Sequence, residues 1–256
     1  MATSFVARGP EAYDSYMGRW STRLAPAFLD FAELVEGGAI LDVGCGTGSL
    51  TFEIAARRKA RSIDALDYEP EFVQAVNNRK GAASINVRQG DAMALPYTSA
   101  QFDMALSLLV LHFVPDAAKA ISEMGRVVKP GGVVPSRRMF WDTVAAIDPA
   151  AEQRRSDVLI RTMTRPNELQ TAFRRAGLSD VAATLLTIRM DFENFENFWI
   201  PAILGQGTHS EFLAGLPEPT QRQIESSVRG AYLAGLPDGP RSFASSAWAV
   251  RGLVLG

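Results

Sequence analysis

Cysteine, histidine and long hydrophobic runs are scarce in this chain of 256 residues, which has one Cys and two His. A disulfide needs two thiols, so Cys45 forms none within the chain, and no Cys/His cluster has the spacing of a zinc site. The longest apolar run, Met104 to Leu111, is far shorter than the roughly 20 residues that span a bilayer. We therefore expect no metal, no membrane partner and a reducing cytoplasm as the setting.

Excess positive charge is also missing, because 26 Lys and Arg face 28 Asp and Glu, for a formal net charge of −2. The basic pairs are scattered rather than gathered, whereas nucleic-acid binding typically needs a basic patch. The first residues, Met1 to Tyr13, lack the basic start and apolar centre of a secretory signal. We expect a cytoplasmic protein with no nucleic-acid partner.

The most informative segment is Ile40 to Thr51, with the sequence ILDVGCGTGSLT. Its apolar start is typical of a strand buried on both faces, and the three glycines remove side chains where the chain turns and approaches a ligand closely. A helix is expected from about Ser49 to Lys59. Its first N–H groups and its dipole would favour a negative group or an acceptor at the turn.

Two more strands are expected to end in Gly or Asp. Ser62 to Asp67 ends in an acid, and Ile85 to Gln89 runs into Gly90, Asp91 and Ala92. Open α/β sheets bind ligands at the carboxyl ends of their strands. Three glycines also suit a plain tight turn, and each acid also suits a turn or helix cap.

The remaining pattern predicts alternating strands and helices, the signature of a doubly wound parallel sheet. We expect a helix from Tyr13 to Leu34, broken near Pro26, and an abrupt helix end at Lys129 to Gly132. The other expected helices are Glu69 to Arg79, Asp116 to Val128 and Pro166 to Ala176, and the other expected strands are Phe102 to Val110, Val181 to Met190 and Arg241 to Val254.

Five motifs in order resemble those of class I S-adenosylmethionine-dependent methyltransferases of the small-molecule, type 11-like branch. They are DVGCGTG, the acid Asp67, GDAMALPY, FDMALSLLVLHFV and RVVKPGG, within roughly Tyr13 to Arg189. The resemblance implies an enzyme that uses S-adenosyl-L-methionine to methylate a small-molecule acceptor. It also implies a doubly wound, mostly parallel, seven-stranded Rossmann-like sheet with a helical C-terminal insertion.

The resemblance also implies a division of the single domain 1–256. Residues 1–36 would form a helical lid, 37–190 the cofactor-binding core, 191–240 a helical insertion or cap, and 241–256 the final strand. The acceptor, the accepting atom and the oligomeric state stay open.

The resemblance assigns roles to individual residues. The glycine turn would hold the methionine end of the cofactor, Asp67 would accept from both ribose hydroxyls, and Asp91 would accept from the adenine amino group. Ser107 and Leu108 would lie against the sulfonium methyl. The implied cofactor-binding residues are Asp42, Gly44, Cys45, Gly46, Gly48, Asp67, Tyr68, Asp91, Ala92, Ser107 and Leu108.

His112 follows the fourth strand and is the candidate general base, although a packed structural role is at least as common for such a histidine. The aromatic residues Tyr13, Tyr16 and Trp20 are spaced to share one helix face. Together with Arg19 they are candidates for a lid or substrate contact, although most such faces are core.

One departure from the family pattern lies after the PGG motif. Pro135 follows Val133 and Val134 where a central fifth strand is expected, and proline is largely confined to strand edges, starts and bulges. The strand is then a stub, or an irregular crossing replaces it from Pro135 to Trp141, or the chain carries an internal deletion. Each case favours cofactor binding over turnover.

Two other interpretations compete with a methyltransferase. A binding module would hold cofactor without transfer because of Pro135. A nicotinamide-dependent oxidoreductase would share the strand, turn and ribose acid, but it prefers G-x-G-x-x-G and a Tyr-x-x-x-Lys pair, which this chain lacks. Separately, Phe192, Phe195, Phe198 and Trp199 form an aromatic stripe, predicted as core packing or as the wall of an acceptor pocket.

Overall fold

The computed structural model describes residues 9–81, 84–136, 163, 167–204 and 213–255. Within these residues the strands form one seven-stranded sheet. The strands are β1 (Ala39–Val43), β2 (Ser62–Asp67), β3 (Ile85–Gln89), β4 (Phe102–Leu106), β5 (Val128–Ser136), β6 (Leu178–Phe192) and β7 (Arg241–Val254).

Helices separate these strands along the chain. The N-terminal pair α1 (Pro10–Tyr13) and α2 (Arg19–Ala32) is joined by a π-helical turn, Asp14–Gly18. The others are α3 (Ser49–Arg57), α4 (Pro70–Arg79), α5 (Ala117–Val127), α6 (Glu168–Arg175), α7 (Phe195–Leu204) and α8 (Glu218–Leu233).

The strand order is β3-β2-β1-β4-β5-β7-β6. Strands β1 to β5 are mutually parallel, whereas β7 pairs antiparallel with both β5 and β6. Because β1 lies between β2 and β4, the chain order reverses there, and such a switch point opens a crevice at the carboxyl ends of the strands. All five residues of β1 are buried, as expected for a strand covered on both faces.

Apolar side chains cover the sheet on both faces. One cluster packs α2 and α3 on the sheet and includes Phe28, Ile54 and Met104. The other packs α5 and α6 on the opposite face and includes Ile121 and Phe173. The predicted α/β, Rossmann-like fold with a parallel sheet is confirmed, and the predicted bounds of β2, β3 and β7 agree with the structure.

The predicted abrupt end of the fifth helix agrees with the structure, since α5 ends at Val127 and Lys129 to Gly132 lie in β5, which begins at Val128. Two local predictions were wrong. Helix α2 continues through Pro26 instead of breaking there. Strand β4 ends at Leu106, four residues earlier than expected. In the described parts of the chain, no helix combines the length and apolar character needed to cross a bilayer.

The prediction of a stub after Gly132 was also wrong. Strand β5 runs to Ser136, and Pro135 stands opposite Arg251 in the antiparallel pair with β7. An antiparallel ladder alternates between residue pairs that exchange hydrogen bonds and pairs that do not, so it can accommodate a residue without an N–H. The rest of the predicted crossing, as far as Trp141, lies outside the described residues.

Candidate functional site

The turn after β1 needs glycine for both its conformation and the space around it. Gly44, Gly46 and Gly48 have φ of 75°, 54° and 95°, in the left-handed region that side chains disfavour. A Cβ on Gly44 would lie 2.5 Å from the side chain of Val110, and one on Gly48 would lie 2.5 Å from the ring of Phe52. The turn is therefore closely packed, as the sequence predicted.

Backbone hydrogen bonds attach this turn to β2. The N–H groups of Gly44 and Cys45 donate to the carbonyl of Leu66, at 2.7 and 3.0 Å. The N–H of Gly48 donates to the carbonyl of Cys45 at 2.9 Å. The turn is thus held beside the carboxyl end of the neighbouring strand.

Asp67 joins the turn to the loop that follows β2. Its Oδ2 accepts from the N–H of Gly46 at 2.7 Å, and its Oδ1 accepts from the N–H of Glu69 at 3.0 Å. Burial raises the pKa of this carboxyl to about 6. Each carboxylate oxygen has a second lone pair, so Asp67 can accept two further bonds from a ligand.

Asp42 lies in the same strand as the start of the turn but is directed at helix α3. Its Oδ2 accepts from the hydroxyl of Thr51 at 2.6 Å, while its buried Oδ1 has no hydrogen-bond partner among the described residues. Burial raises the pKa of Asp42 to about 7. Asp42 thus fastens α3 to β1 and does not line the cleft described next.

An open cleft lies at the carboxyl ends of β1 to β4, with about 880 Å³ of empty space that includes open solvent. Open α/β sheets bind ligands at this edge. It brings together seven of the predicted cofactor-binding residues, namely Gly44, Gly46, Asp67, Tyr68, Asp91, Ala92 and Leu108. The other four, Asp42, Cys45, Gly48 and Ser107, are not among its described lining.

The loop with Asp91 and Ala92 is held by its own backbone and by helix α5. Oδ1 of Asp91 accepts from the N–H of Met93 at 2.8 Å. Arg126 donates to the carbonyls of Leu95 and Tyr97, at 3.1 and 2.9 Å. Glu123, which accepts from the N–H of Leu95 at 2.9 Å, pairs with Arg126. The ion pair of Glu123 and Arg126, with its hydrogen bonds to the loop backbone, fixes the loop that places Asp91 in the cleft.

The segment after β4 forms the apolar wall of the cleft. Leu108, Leu109, Val110 and Phe113 line it, and Leu109 has the left-handed φ of 64°. The His112 ring contacts that of Phe113 in a tilted arrangement, with centroids 4.0 Å apart, but His112 is not among the described lining residues. Ser107 is fully buried, and its hydroxyl has no partner among the described residues.

Of the four lid candidates in the N-terminal segment, Tyr13 lines the cleft. The Tyr13 ring is 3.7 Å from where a Cβ on Gly46 would lie, and its centroid is 5.2 Å from that of Phe72. Burial raises the pKa of Tyr13 to about 12, so the phenol keeps its proton at neutral pH. Tyr13 thus places a protonated phenol beside the turn, where it also has a side-chain hydrogen bond with Ser21 of α2.

The other three lid candidates lie elsewhere. Trp20 is buried in the core at 5% exposure, and the guanidinium of Arg19 lies over its ring and donates to Asn197 at the start of α7. Tyr16 is mostly buried and, like them, is absent from the described lining. These positions do not support a direct contact with a ligand in the cleft.

Sequence reasoning missed Phe72, Val110 and Phe113 as lining residues. Val110 and Phe113 belong to the motif FDMALSLLVLHFV. The sequence did not predict the left-handed backbone of Leu109, which changes the direction of the chain before these residues. Phe72 is the first apolar residue of α4 and is 3% exposed, so it reads as core.

The aromatic stripe of α7 packs on the core, as predicted. Phe195 and Trp199 are stacked with centroids 5.8 Å apart, and Phe198 contacts Tyr232 at 5.5 Å. Phe192, which precedes the helix, meets Trp20 edge-on at 5.2 Å. The alternative, a wall of an acceptor pocket, stays a prediction.

Comparison with known proteins identifies the part of the chain that forms this cleft. Residues 41–135 match a family model described as a methyltransferase domain. A demethylmenaquinone methyltransferase from Desulfitobacterium hafniense is 38% identical over 117 residues, which cover 44% of this chain and 46% of that protein. A 27-O-demethylrifamycin SV methyltransferase from Amycolatopsis mediterranei is 28% identical over 173 residues, covering 64% of this chain and 62% of that protein.

Other relatives are named as methyltransferases of a phytyl hydroquinone and of a fatty acid. Among solved structures, the YcgJ protein from Bacillus subtilis has a TM-score of 0.61 at 18% identity and covers 93% of this chain and 99% of that one, which shows a shared fold. The chain spans about half the length of the curated relatives it matches. The comparisons support the predicted resemblance: residues 41–135 match a methyltransferase domain, and the relatives that the chain matches over part of their length are named as small-molecule methyltransferases.

Proposed function

We propose that this chain transfers a methyl group from S-adenosylmethionine to a small, largely apolar acceptor. The observation that carries the proposal is the position of Asp67. Its carboxylate is fixed by two backbone amides at the edge of a cleft, beside the glycine turn and opposite the apolar wall after β4.

The charge of the cleft suits this cofactor. Its described lining contains the carboxylates of Asp67, Glu69 and Asp91 and no Lys or Arg. A sulfonium is positively charged, so nearby carboxylates favour its binding. Asp67 would accept from the ribose hydroxyls, and Asp91, Ala92 and Tyr68 would contact the adenine.

The methionine end would lie on the glycine turn, where Gly44 and Gly46 leave room for close approach of the backbone. The other four predicted residues would support this turn and would not contact the cofactor; they are Asp42, Cys45, Gly48 and Ser107. Their absence from the described lining motivates this division of roles.

The acceptor is proposed to be apolar because of the wall it would contact. Leu108, Leu109, Val110, Phe113 and Pro115 line the cleft beyond the turn. Relatives named for quinone and fatty-acid substrates support the same class. We further propose a division of the chain around the core 37–190 and the final strand 241–256. Residues 191–240 would form a cap that contributes the aromatic side of the acceptor pocket, and residues 1–36 would cover the cofactor.

Methyl transfer from a sulfonium disperses positive charge, so alignment of donor and acceptor in a dry site supplies most of the acceleration. A general base helps acceptors that must lose a proton. His112 remains the candidate for that role, although its ring contacts Phe113 and is not among the described lining of the cleft.

The predicted cytoplasmic location also stays a prediction.

The proposal of binding without transfer depended on a break at Pro135. Strand β5 instead continues to Ser136 with β7 as its partner, so that reason no longer favours it. Formation of S-adenosylhomocysteine from S-adenosylmethionine with a panel of quinols and fatty acids distinguishes an enzyme from a binding protein. Stabilisation by NADH but not by S-adenosylmethionine would instead support the oxidoreductase.

The cofactor site is tested by Asp67→Asn, with Asp64→Asn as the matched control. Both acids lie in β2 and both are 8% exposed, but only Asp67 lines the cleft. We expect Asp67→Asn to weaken S-adenosylhomocysteine binding by about 10- to 100-fold, since it weakens charge-assisted hydrogen bonds. Isothermal titration measures this. Equal losses in the two variants, or no binding by the unmodified chain, would contradict the proposal.

A further inference from the structure

The N-terminal segment is fastened to the glycine turn through one carboxylate. Oδ1 of Asp14 accepts from the hydroxyl of Thr47 at 2.5 Å, and Oδ2 accepts from Nη2 of Arg79 at 2.6 Å. Nη1 of Arg79 also reaches the carbonyl of Thr47, at 3.4 Å. Thr47 stands inside the turn, between Gly46 and Gly48, so Asp14 connects the π-helical turn, the glycine turn and helix α4.

The local backbone is shaped to admit this carboxylate. Asp14 begins the π-helical turn that ends at Gly18. A Cβ on Gly18 would lie only 2.5 Å from Oδ1 of Asp14, so a larger residue there would displace the carboxylate. Single π-helical turns are rare and frequently occur at functional sites.

Tyr13, the neighbour of Asp14, is the aromatic residue that this segment places in the cleft. The ring lies between Phe72 of α4 and the turn at Gly46. Both flanking elements are bonded to Asp14, through Arg79 and Thr47 respectively. A displacement of the Asp14 carboxylate would therefore loosen the segment that carries Tyr13 from both flanking elements, leaving the side-chain hydrogen bond of Tyr13 with Ser21.

A second ion pair also attaches the N-terminal helices to the body, at a distance from the cleft. Arg23 of α2 pairs with Asp191 of β6 at 2.7 Å. The side chains of this pair are 46% and 43% exposed, and those of Arg79 and Asp14 are 44% and 32% exposed. Exposed pairs of this kind contribute little stability, so the two differ chiefly in what they position.

We infer that Asp14 is a positioning residue that holds Tyr13 against the glycine turn and thereby makes residues 10–18 a cover that retains the bound cofactor. The inference deepens the proposed function and rests on it for the identity of the cofactor. Of the predicted lid residues it keeps Tyr13, adds Asp14 and omits Tyr16, Arg19 and Trp20.

The test compares Asp14→Asn with the matched control Asp191→Asn in the full chain. We expect Asp14→Asn to raise the dissociation rate of S-adenosylhomocysteine about tenfold, as the loss of one charge-assisted contact implies. Asp191→Asn should leave the rate within about twofold. Stopped-flow displacement measures the rates, and thermal midpoints without ligand measure stability separately.

Thr47→Val provides a neutral probe of the same contact, because it removes the hydroxyl without changing any charge. Combined with Asp14→Asn, it should add almost nothing to the effect of the single variants, as expected for residues that share one interaction. Effects that multiply, or equal dissociation rates in Asp14→Asn and Asp191→Asn, would overturn the inference.

Hydrogen exchange gives a readout that needs no cofactor. Without ligand, Asp14→Asn should speed amide exchange in residues 13–18, whereas Asp191→Asn should not. Unchanged exchange in residues 13–18 would overturn the role of Asp14 even if the unmodified chain bound no cofactor. That lack of binding would itself refute the proposed function, so the two failures are distinguishable.

Discussion

The two ends of the sheet achieve order by different means. Around β1, β2 and β3, buried carboxylates and bare amides hold one another, as in the contact of Asp67 with Gly46. Around β6 and β7, rings pack on rings, as in the stack of Phe195 on Trp199 and their neighbour Tyr232. Polar order fixes atoms within tenths of an ångström, whereas ring packing mainly fills volume. The first end therefore provides groups at fixed positions beside the cleft, whereas the second provides a packed apolar core.

The strongest way to break the cofactor end is Gly44→Ala. The new Cβ would meet Val110 at 2.5 Å, in a backbone with φ of 75°. We expect S-adenosylhomocysteine affinity to fall by about 30-fold or more, since strain and overpacking together cost roughly 2–5 kcal/mol. Isothermal titration measures the loss.

Its control is Gly230→Ala, in the exposed interior of α8, where nothing lies within 4 Å of the added Cβ. This change should stabilise the chain by up to about 1 kcal/mol, because alanine favours helix over glycine. Comparable affinity losses in both variants would show that the glycine turn is not special.

Phe195→Ala probes the aromatic end. Phe195 is 1% exposed and touches Trp199 and Tyr232, so its truncation should lower the free energy of unfolding by about 3–5 kcal/mol. At a temperature where the variant is folded, cofactor affinity should stay within about twofold. Urea unfolding and isothermal titration give the two values, and a large affinity loss would mean that the two ends are not independent.

The smallest expected effect concerns pH and Asp42. Burial raises its pKa from 3.8 to about 7, so the folded chain binds this proton more tightly than the unfolded chain does. The free energy of unfolding must then fall as pH rises from about 4 to 7. Asp42→Asn keeps an acceptor for Thr51 but removes this titration.

Between pH 5 and pH 8, we expect the unmodified chain to lose roughly 1–3 kcal/mol more stability than Asp42→Asn does. Urea unfolding at both pH values, without cofactor, provides the comparison. If the free energy of unfolding changed equally with pH in the two proteins, ionisation of Asp42 would not be a cause of the lost stability, and the prediction would be wrong.

Much of the cofactor end could be predicted from sequence because its chemistry is local. Gly44, Asp67 and Asp91 stand at strand ends that apolar runs announce, and the structure brings all three to one cleft. The helix face of Tyr13, Tyr16 and Trp20 failed for a definite reason. A helical face assumes 3.6 residues per turn, and the π-helical turn at Asp14–Gly18 shifts every later residue around the axis.

Long-range packing explains the other errors. Gly132 lies beyond the helix end as predicted, but its role in strand packing was not: a Cβ there would lie 2.5 Å from the carbonyl of Asp103 in β4, so the glycine allows close approach of the strands. Pro26 was expected to break a helix, yet its carbonyl accepts from Arg57 of α3 at 3.0 Å, and the helix is also packed on the sheet. Neither partner is near in sequence.

The two amides on Asp67 have a consequence for how the chain meets its ligand. Because Gly46 and Glu69 already hold both oxygens, the acid has no rotamers to lose when a ribose arrives. The side-chain entropy of Asp67 is therefore lost when the chain folds and not when the ligand binds, so the ligand meets a hydrogen-bond acceptor that is already in position. Recognition at this corner should therefore show a small entropy penalty, with the adjustable part of binding left to the segment around Tyr13.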